Sequence, residues 1–301
     1  MNKNKGLIYN IQRFSIYDGP GARTVVFFKG CNLHCWWCHN PESISGKRQL
    51  LLYPEKCIGC GECFHRCPQG AHGIDAKGLH RIDRDLCAAC FDCVDHCYAE
   101  ALVSVGQEVD IAYLKKAIMT DLPYYRRSGG GVTFSGGECM LQIGFLREML
   151  TVCREASIHT AVDTAGHVDW SYFERILDVT DLFLYDLKAA DSEVHKDLTG
   201  VSNERIIANL KKLSDLHRCI HVRIPLIPGA NDGEIEGIAK LLTGLRVEQV
   251  TILPYHTLGV SKNESLGNTP HAFTVPAQEA IDRALEILAS YHIQAKQNTG
   301  V

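Results

Sequence analysis

Cys31-Asn32-Leu33-His34-Cys35-Trp36-Trp37-Cys38 places three thiols in eight residues, spaced C-x3-C-x2-C. A [4Fe–4S] cubane takes four ligands, ordinarily Cys thiolates. Three thiols therefore leave one iron open to an outside molecule. Ferredoxin and zinc-ribbon sites are built from C-x2-C pairs, and the x3 gap fits neither. The competing reading is a zinc site of three Cys completed by His34 or His39.

A second pattern follows. Cys57, Cys60, Cys63 and Cys67 run C-x2-C-x2-C-x3-C with Pro68 next, and Cys87, Cys90, Cys93 and Cys97 repeat the spacing thirty residues later with Tyr98 in the proline position. This is the bacterial ferredoxin spacing, in which the fourth cysteine of each run serves the other cluster. The rule gives Cys57, Cys60, Cys63 and Cys97 to one cube and Cys87, Cys90, Cys93 and Cys67 to the other. A pair of zinc knuckles is the alternative. Gly59, Gly61, Ala88 and Ala89 are small enough for a backbone that wraps a cluster closely. Cys139, Cys153 and Cys219 stand singly in apolar surroundings and read as inert buried thiols.

Further polar residues fall where strands should end: Glu138, Asp163, Asp186, Arg223 and His256. They share one rim if the strands are parallel and the sheet curves. The elements that would position them alternate. Leu7 to Ile16 reads as an edge strand, Asp18-Gly19-Pro20-Gly21 as a turn, and Arg23 to Lys29 as a buried strand that delivers the three-Cys loop. From Asp110 onward, short apolar strands at 132–135, 159–163, 182–187, 220–227 and 249–253 alternate with amphipathic helices, and a last short strand is expected at 293–296. Asn203 is expected to cap the helix that follows it. Six such units predict an α/β fold, a partial (β/α)6 barrel over residues 1–51 and 105–301, with a bacterial-ferredoxin-like domain inserted at 52–104.

Composition narrows the class. The chain has 301 residues, 46% of them hydrophobic, and 31 basic against 35 acidic side chains give a net charge of −4. No basic tract marks a nucleic-acid or membrane surface, no apolar run approaches ~18 residues, and the N-terminus lacks a signal-peptide core. The expectation is a cytoplasmic protein without nucleic-acid or membrane partners. Of 14 cysteines, eleven lie between Cys31 and Cys97. Disulfide scaffolds are typically small, so this density points to metal ligation.

Taken in order, Asp18-Gly19-Pro20-Gly21, the three-Cys loop, Cys38-His39-Asn40-Pro41, Ser135-Gly136-Gly137-Glu138, Asp163-Thr164, Tyr185-Asp186-Leu187-Lys188, Arg223-Ile224-Pro225 and Leu253-Pro254-Tyr255-His256 give a specific likeness. The chain resembles the radical S-adenosylmethionine (SAM) activating enzymes of glycyl radical enzymes, the pyruvate formate-lyase activating enzyme family. The likeness covers nearly the whole chain outside the insert, and a subset of the family carries such an insert. Trp37 stands where the family has an aromatic residue before the third Cys.

The resemblance implies that Cys31, Cys35 and Cys38 hold the SAM cluster and that Gly136-Gly137-Glu138 binds the methionine amino group. It implies a monovalent-cation site at Asp163, Thr164 and Asp186, further SAM-pocket positions at Trp37, Lys188, Arg223 and His256, and contact of Asp18 with the partner's glycine loop. No catalytic side chain beyond the SAM cluster is implied. Cys139 replaces the family's proline after Gly-Gly-Glu and is expected to serve packing.

The implied activity is reductive cleavage of SAM to a 5′-deoxyadenosyl radical that takes an α-hydrogen from a glycine of the partner enzyme. Reduced flavodoxin or ferredoxin would supply electrons. The implied cofactors are three [4Fe–4S] clusters and SAM, with the insert clusters relaying electrons or docking the partner. The rival readings are a ferredoxin-type electron carrier and a radical SAM enzyme acting on a small molecule. Nothing in the sequence selects among glycyl radical enzymes.

Overall fold

The apolar runs form adjacent strands of one nine-stranded sheet in the computed structural model, which describes residues 5–298. In chain order the strands are β1 (Lys5–Ser15), β2 (Arg23–Phe28), β3 (Gln49–Leu52), β4 (His72–Ile74), β5 (His80–Ile82), β6 (Leu102–Val105), β7 (Gln107–Asp110), β8 (Gly131–Gly136), β9 (His159–Thr164), β10 (Leu182–Asp186), β11 (Ile220–Leu226), β12 (Gln249–Pro254) and β13 (Ala295–Gln297). The main sheet runs β13-β12-β11-β10-β9-β8-β2-β1-β7. From β2 through β13 every neighbouring pair is parallel. β1 lies antiparallel to β2, and β7 antiparallel to β1. Among the described residues no pairing joins β13 to β7, so the barrel is partial. Residues 1–4 and 299–301, assigned to the barrel from the sequence, lie outside the described residues.

Parallel pairing requires crossovers, and the helices supply them. Helix Ile143–Glu155 buries Ile143, Phe145, Leu146, Met149, Leu150 and Cys153, a 3.6-residue stripe. The strands divide their side chains by parity. On β10, Phe183 and Tyr185 join the core beneath the helices, while Leu182 and Leu184 pack with Ala161 in a separate cluster. On β11, Ile220, Val222 and Ile224 join the helix-covered core. Arg223 falls between them and points to the other face.

Several elements differ from the sequence reading. The last strand begins at Ala295, and the helix expected from Leu141 starts at Ile143 after a tight turn at Cys139–Gln142. Helix Ser192–Thr199 was not anticipated; Asp191 caps it, accepting from the Glu193 and Val194 amides, and Gly200 ends it in a left-handed conformation. Asn203 sits at its expected helix terminus, but its amide donates backward to the Ala189 and Ala190 carbonyls rather than capping.

β3 and β6 pair antiparallel, from Gln49 opposite Val105 to Leu52 opposite Leu102, and so bring together the two ends of the intervening segment. Between them lie two short helices, Glu62–Arg66 and Asp92–Asp95, and the β4–β5 hairpin.

Candidate active site

The three-Cys loop leaves the C-terminal end of β2 and is held at both ends. The Gly30 and Cys31 amides donate to Ser43 and Ile44 carbonyls at 2.6 and 2.9 Å. The His34 and Trp36 amides donate to Thr199 and Leu198 at 2.8 and 3.1 Å. Trp37 is buried with Leu198, Ile227 and Tyr255, and Cys35 packs against that cluster. The aromatic residue thus anchors the loop to the barrel wall.

Burial pushes the Cys31 and Cys38 thiols up to about 12, and that of Cys35 upward too. Lys188 opposes the shift at each of them but does not overcome it. The fold alone would therefore leave three neutral thiols; a metal is needed to hold them as thiolates.

Their spacing tests which metal. Two ligands of one zinc ion, each about 2.3 Å from it, cannot lie further than ~4.6 Å apart. Among the described residues, the groups of three or more His, Cys, Asp or Glu donors within 4.8 Å of one another are Cys63–His72–His80 and Cys219–His221–Glu248. The three-Cys loop and the two cysteine quartets do not meet that limit. As placed, they do not form a three-donor site for a single ion.

A cleft of about 770 Å³ opens at the strand ends, and its walls include Cys31, Cys35, Trp37, Cys38, Asp18, Gly136, Gly137, Asp163, Thr164, Asp186, Lys188, Arg223 and His256. The structure thus brings together all but one of the residues read from the sequence for this site. The exception is Glu138, which is buried behind the cleft wall. Its carboxylate accepts from Thr164 Oγ1 at 2.8 Å and from the Ala165 and Met140 amides at 3.2 Å each. Burial raises its pKa to about 7.

The glycine pair has a second purpose that the sequence did not reveal. A Cβ on Gly136 would sit 2.2 Å from the Phe28 oxygen, and one on Gly137 would sit 2.3 Å from the Gly30 oxygen. The Gly137 and Glu138 amides donate to those same oxygens at 2.9 and 2.8 Å. The end of β8 is thereby locked against the root of the three-Cys loop, a contact only glycine permits.

Charge inside the cleft is organised around Arg223. Its guanidinium bonds Asp163 and, at 2.9 Å, Asp186, and it lies 3.8 Å from Asp18. Lys188 Nζ donates to the second Asp186 oxygen at 3.0 Å. Burial alone would push the Asp186 carboxyl up, but Arg223 and Lys188 outweigh it and leave it below the ordinary range. For Arg223, burial is likewise outweighed by Asp163, Asp186 and Asp18. Asp18 is fixed by Ser15 Oγ at 2.5 Å.

His256 stacks on His39 with ring centroids 3.6 Å apart. Burial, reinforced by His256, lowers the His39 pKa to about 3 and keeps that ring neutral. His39 Nε2 is buried with no protein partner. The sequence offered His39 only as a zinc ligand; here it is a cleft residue with an unspent polar atom, as a ligand contact requires.

In the insert, a cavity of about 310 Å³ is lined by Cys57, Cys60, Cys63 and Cys97, and Cys67 is not in its wall. Burial pushes the Cys93 thiol up, and Cys87, Cys90, Cys63 and Cys67 lie near enough to add to the shift. Of the three solitary cysteines, Cys139 and Cys153 are buried, and Cys139 donates to the Phe134 and Asp163 carbonyls at 3.4 and 3.5 Å. Cys219 departs from expectation: it is only partly buried, and its thiol donates to Glu248 at 3.1 Å. Among the described residues no helix is long and apolar enough to cross a membrane.

Over residues 92–242 the chain matches the Radical SAM superfamily, and over residues 50–98 a 4Fe-4S dicluster domain. It is 41% identical over 276 residues to the choline trimethylamine-lyase activating enzyme of Oleidesulfovibrio alaskensis, covering 89% of each chain. It is 42% identical over 267 residues to the trans-4-hydroxy-L-proline dehydratase activating enzyme of Clostridioides difficile, covering 86% of this chain and 87% of that one. Streptococcus suis SuiB bound to its precursor peptide SuiA matches with a TM-score of 0.52 at 14% identity, over 64% of this chain and 43% of that chain, which shows the fold alone. The chain belongs to the radical SAM superfamily and, within it, to the activating enzymes of glycyl radical enzymes.

Proposed function

We infer that this chain is the activase of a glycyl radical enzyme. A [4Fe–4S] cluster and SAM, when bound, supply reductive cleavage of the cofactor's S–C5′ bond and removal of one α-hydrogen from a partner glycine. The observation that carries the reading is the single cleft, in which an incomplete thiol triad faces an ionic rim at the C-terminal ends of parallel strands.

We assign Cys31, Cys35 and Cys38 to the SAM cluster. Gly136, Gly137 and Glu138 form the turn that receives the SAM amino group, with Glu138 fixing the turn from behind. Lys188 and Arg223 provide positive charge for the carboxylate, and Trp37, Thr164 and His256 complete the wall. Asp18, tethered by Ser15 at the cleft mouth, is assigned to the partner's glycine loop. Asp163, Thr164 and Asp186 are assigned to a monovalent cation, which would compete with Arg223 for the two carboxylates.

Two further clusters bring the total to three: Cys57, Cys60, Cys63 and Cys97 hold one, and Cys87, Cys90, Cys93 and Cys67 the other. The 310 Å³ cavity supports the first grouping. Residues 52–104 then form a ferredoxin-like domain inserted in the barrel. Reduced flavodoxin or ferredoxin is the proposed electron source, and the cytoplasm the proposed compartment.

The test is anaerobic, with iron-loaded full-length protein, dithionite and SAM. Methionine and 5′-deoxyadenosine should form, and a glycyl radical signal should appear by EPR when the correct partner is added. Absence of 5′-deoxyadenosine from fully loaded protein overturns the reading. Relatives named for choline, hydroxyproline and 4-hydroxyphenylacetate enzymes stand at 38–42% identity, too close together to choose the partner.

A further inference from the structure

We propose that His72 and His80 form a hydrogen-bond relay onto Cys57 that raises the reduction potential of one insert cluster and leaves its twin untouched. The inference rests on the cysteine grouping proposed above. The two histidines belong to the β4–β5 hairpin, the linker between the two cysteine runs. In the hairpin register Ile74 faces His80 and His72 faces Ile82, so the histidines are diagonal neighbours on one face. His80 is 6% exposed and lines the cavity formed by Cys57, Cys60, Cys63 and Cys97. Phe64 covers both rings, with centroids 5.9 Å from His72 and 5.4 Å from His80.

The polar contacts fix a direction. His72 Nδ1 and His80 Nε2 are 2.9 Å apart, so one donates to the other. His80 Nδ1 lies 3.8 Å from Cys57 Sγ, and His80 Nε2 lies 3.9 Å from Cys63 Sγ. With neutral rings, two arrangements exist. If His80 Nε2 donated to His72, His80 Nδ1 would turn a bare lone pair toward the Cys57 sulfur, which is repulsive against a thiolate. If His72 donates to His80 Nε2, His80 Nδ1 carries hydrogen and points it at Cys57. The second arrangement satisfies the His72–His80 and His80–Cys57 contacts; the Nε2 lone pair, 3.9 Å from Cys63 Sγ, is then occupied by the His72 N–H.

A donor at a ligand sulfur stabilises the more negative, reduced cluster and so raises its potential. The other quartet has a backbone donor and no side-chain one among the described residues. Its Cys67 sulfur receives the Ala71 amide at 3.3 Å, and among the described residues His80 is the one side chain in hydrogen-bond range of an insert thiol. Two clusters with matching cysteine spacing are thus treated unequally by the hairpin between them. An unequal pair gives electrons a resting place, which two equal clusters would not.

The test is an EPR-monitored potentiometric titration of iron-loaded full-length protein. The wave that responds to SAM belongs to the three-Cys loop, and the remaining two belong to the insert. In His80→Leu, one insert wave should move to lower potential while the other stays. The wave that moves should be the one abolished by Cys60→Ala. His80→Gln, which keeps an N–H donor, should recover part of the shift. His72→Leu leaves every cysteine and His80 in place and should shift the same wave downward by less. It carries the test if His80→Leu loses a cluster. No shift, an upward shift, or equal movement of both waves overturns the relay. A wild-type protein with fewer than three clusters would instead sink the ligand assignment, and the relay with it.

Discussion

The barrel buries Phe28, Phe134, Leu146, Phe173 and Ile224 completely beneath its helices. The insert has no comparable store of apolar side chains. Its interior is Leu52, Leu102 and Cys93, joined by Leu50 from the barrel side, with Cys63, Ile82, Cys87, Phe91, Val94 and Cys97 packed against them. Four of these ten side chains are thiols. A segment this small does not bury enough surface to stay folded without crosslinks or metal. The barrel can therefore fold first and then receive its cluster, whereas in the insert cluster binding and folding are one event. The donor sets differ in the same sense. The barrel presents three thiols and an ionic cleft, and the insert presents eight thiols in two runs of four. On the proposed assignment, an incomplete set invites a ligand and a complete set stores electrons.

The sharpest way to break this comparison is to remove one cysteine from each region. Three cubes hold about 12 irons. Cys38→Ala should lose about four, abolish 5′-deoxyadenosine formation, and leave the insert resistant to protease. Cys60→Ala should also lose about four, yet keep SAM binding, slow repeated turnover, and expose cleavage sites between residues 52 and 104. Loss of iron from Cys38→Ala without loss of SAM cleavage would contradict the assignment of the triad.

Arg223 gives the next largest effect. Its guanidinium lies between three carboxylates in a closed part of the cleft. Removing one partner of a buried ion pair costs on the order of 3 kcal/mol. Arg223→Met should cost about that much stability in anaerobic denaturation, because Asp163 loses its cation while Asp186 keeps Lys188. Added potassium should restore part of it, and tetramethylammonium, too large for the gap, should not. In the insert, the exposed Arg66–Glu62 pair one helical turn apart is worth little, so Arg66→Met should leave stability nearly unchanged. A comparable loss from both variants would remove the distinction between ionic cleft and solvated surface.

The sequence made some of this legible and hid the rest for a physical reason. Cysteine spacings are local, so the triad and the two quartets could be read from neighbours in the chain. Strand ends were visible through period-2 and apolar runs, and Asp163, Asp186 and Arg223 could be placed on one rim. What joins them was not visible, because Arg223 meets Asp163 across β10, sixty residues away in sequence. Helix Ser192–Thr199 was missed, although Asp191 and Gly200 mark its ends, because its eight residues are too short for a clear apolar stripe. Yet it supplies two carbonyls that hold the three-Cys loop. The resemblance gives the glycine pair to the methionine amino group; its tightest contact is the neighbouring backbone at Phe28 and Gly30, which no local pattern records.

Glu138 separates a ligand-binding carboxylate from one that supports the wall, and its effect should be the smallest. Its folded pKa, about 7, lies above the ordinary 4.5 because burial disfavours the charged form. The folded state therefore holds a proton that the unfolded state releases first. This contribution to stability is complete below pH 4.5 and is lost as pH rises toward 7. Glu138→Gln removes the titration, so its stability relative to the parent should improve as pH rises through that window. Denaturation midpoints at several pH values check the sign. SAM affinity should change by less than about tenfold, since the carboxylate points at Thr164 and two backbone amides rather than into the cleft. A loss of about 1.5–3 kcal/mol in SAM binding, the worth of a hydrogen bond to a charged group, would place the carboxylate on the cofactor instead. Glycine backbone alone would then be insufficient for the amino group, and the buried position of Glu138 would have to open when SAM enters.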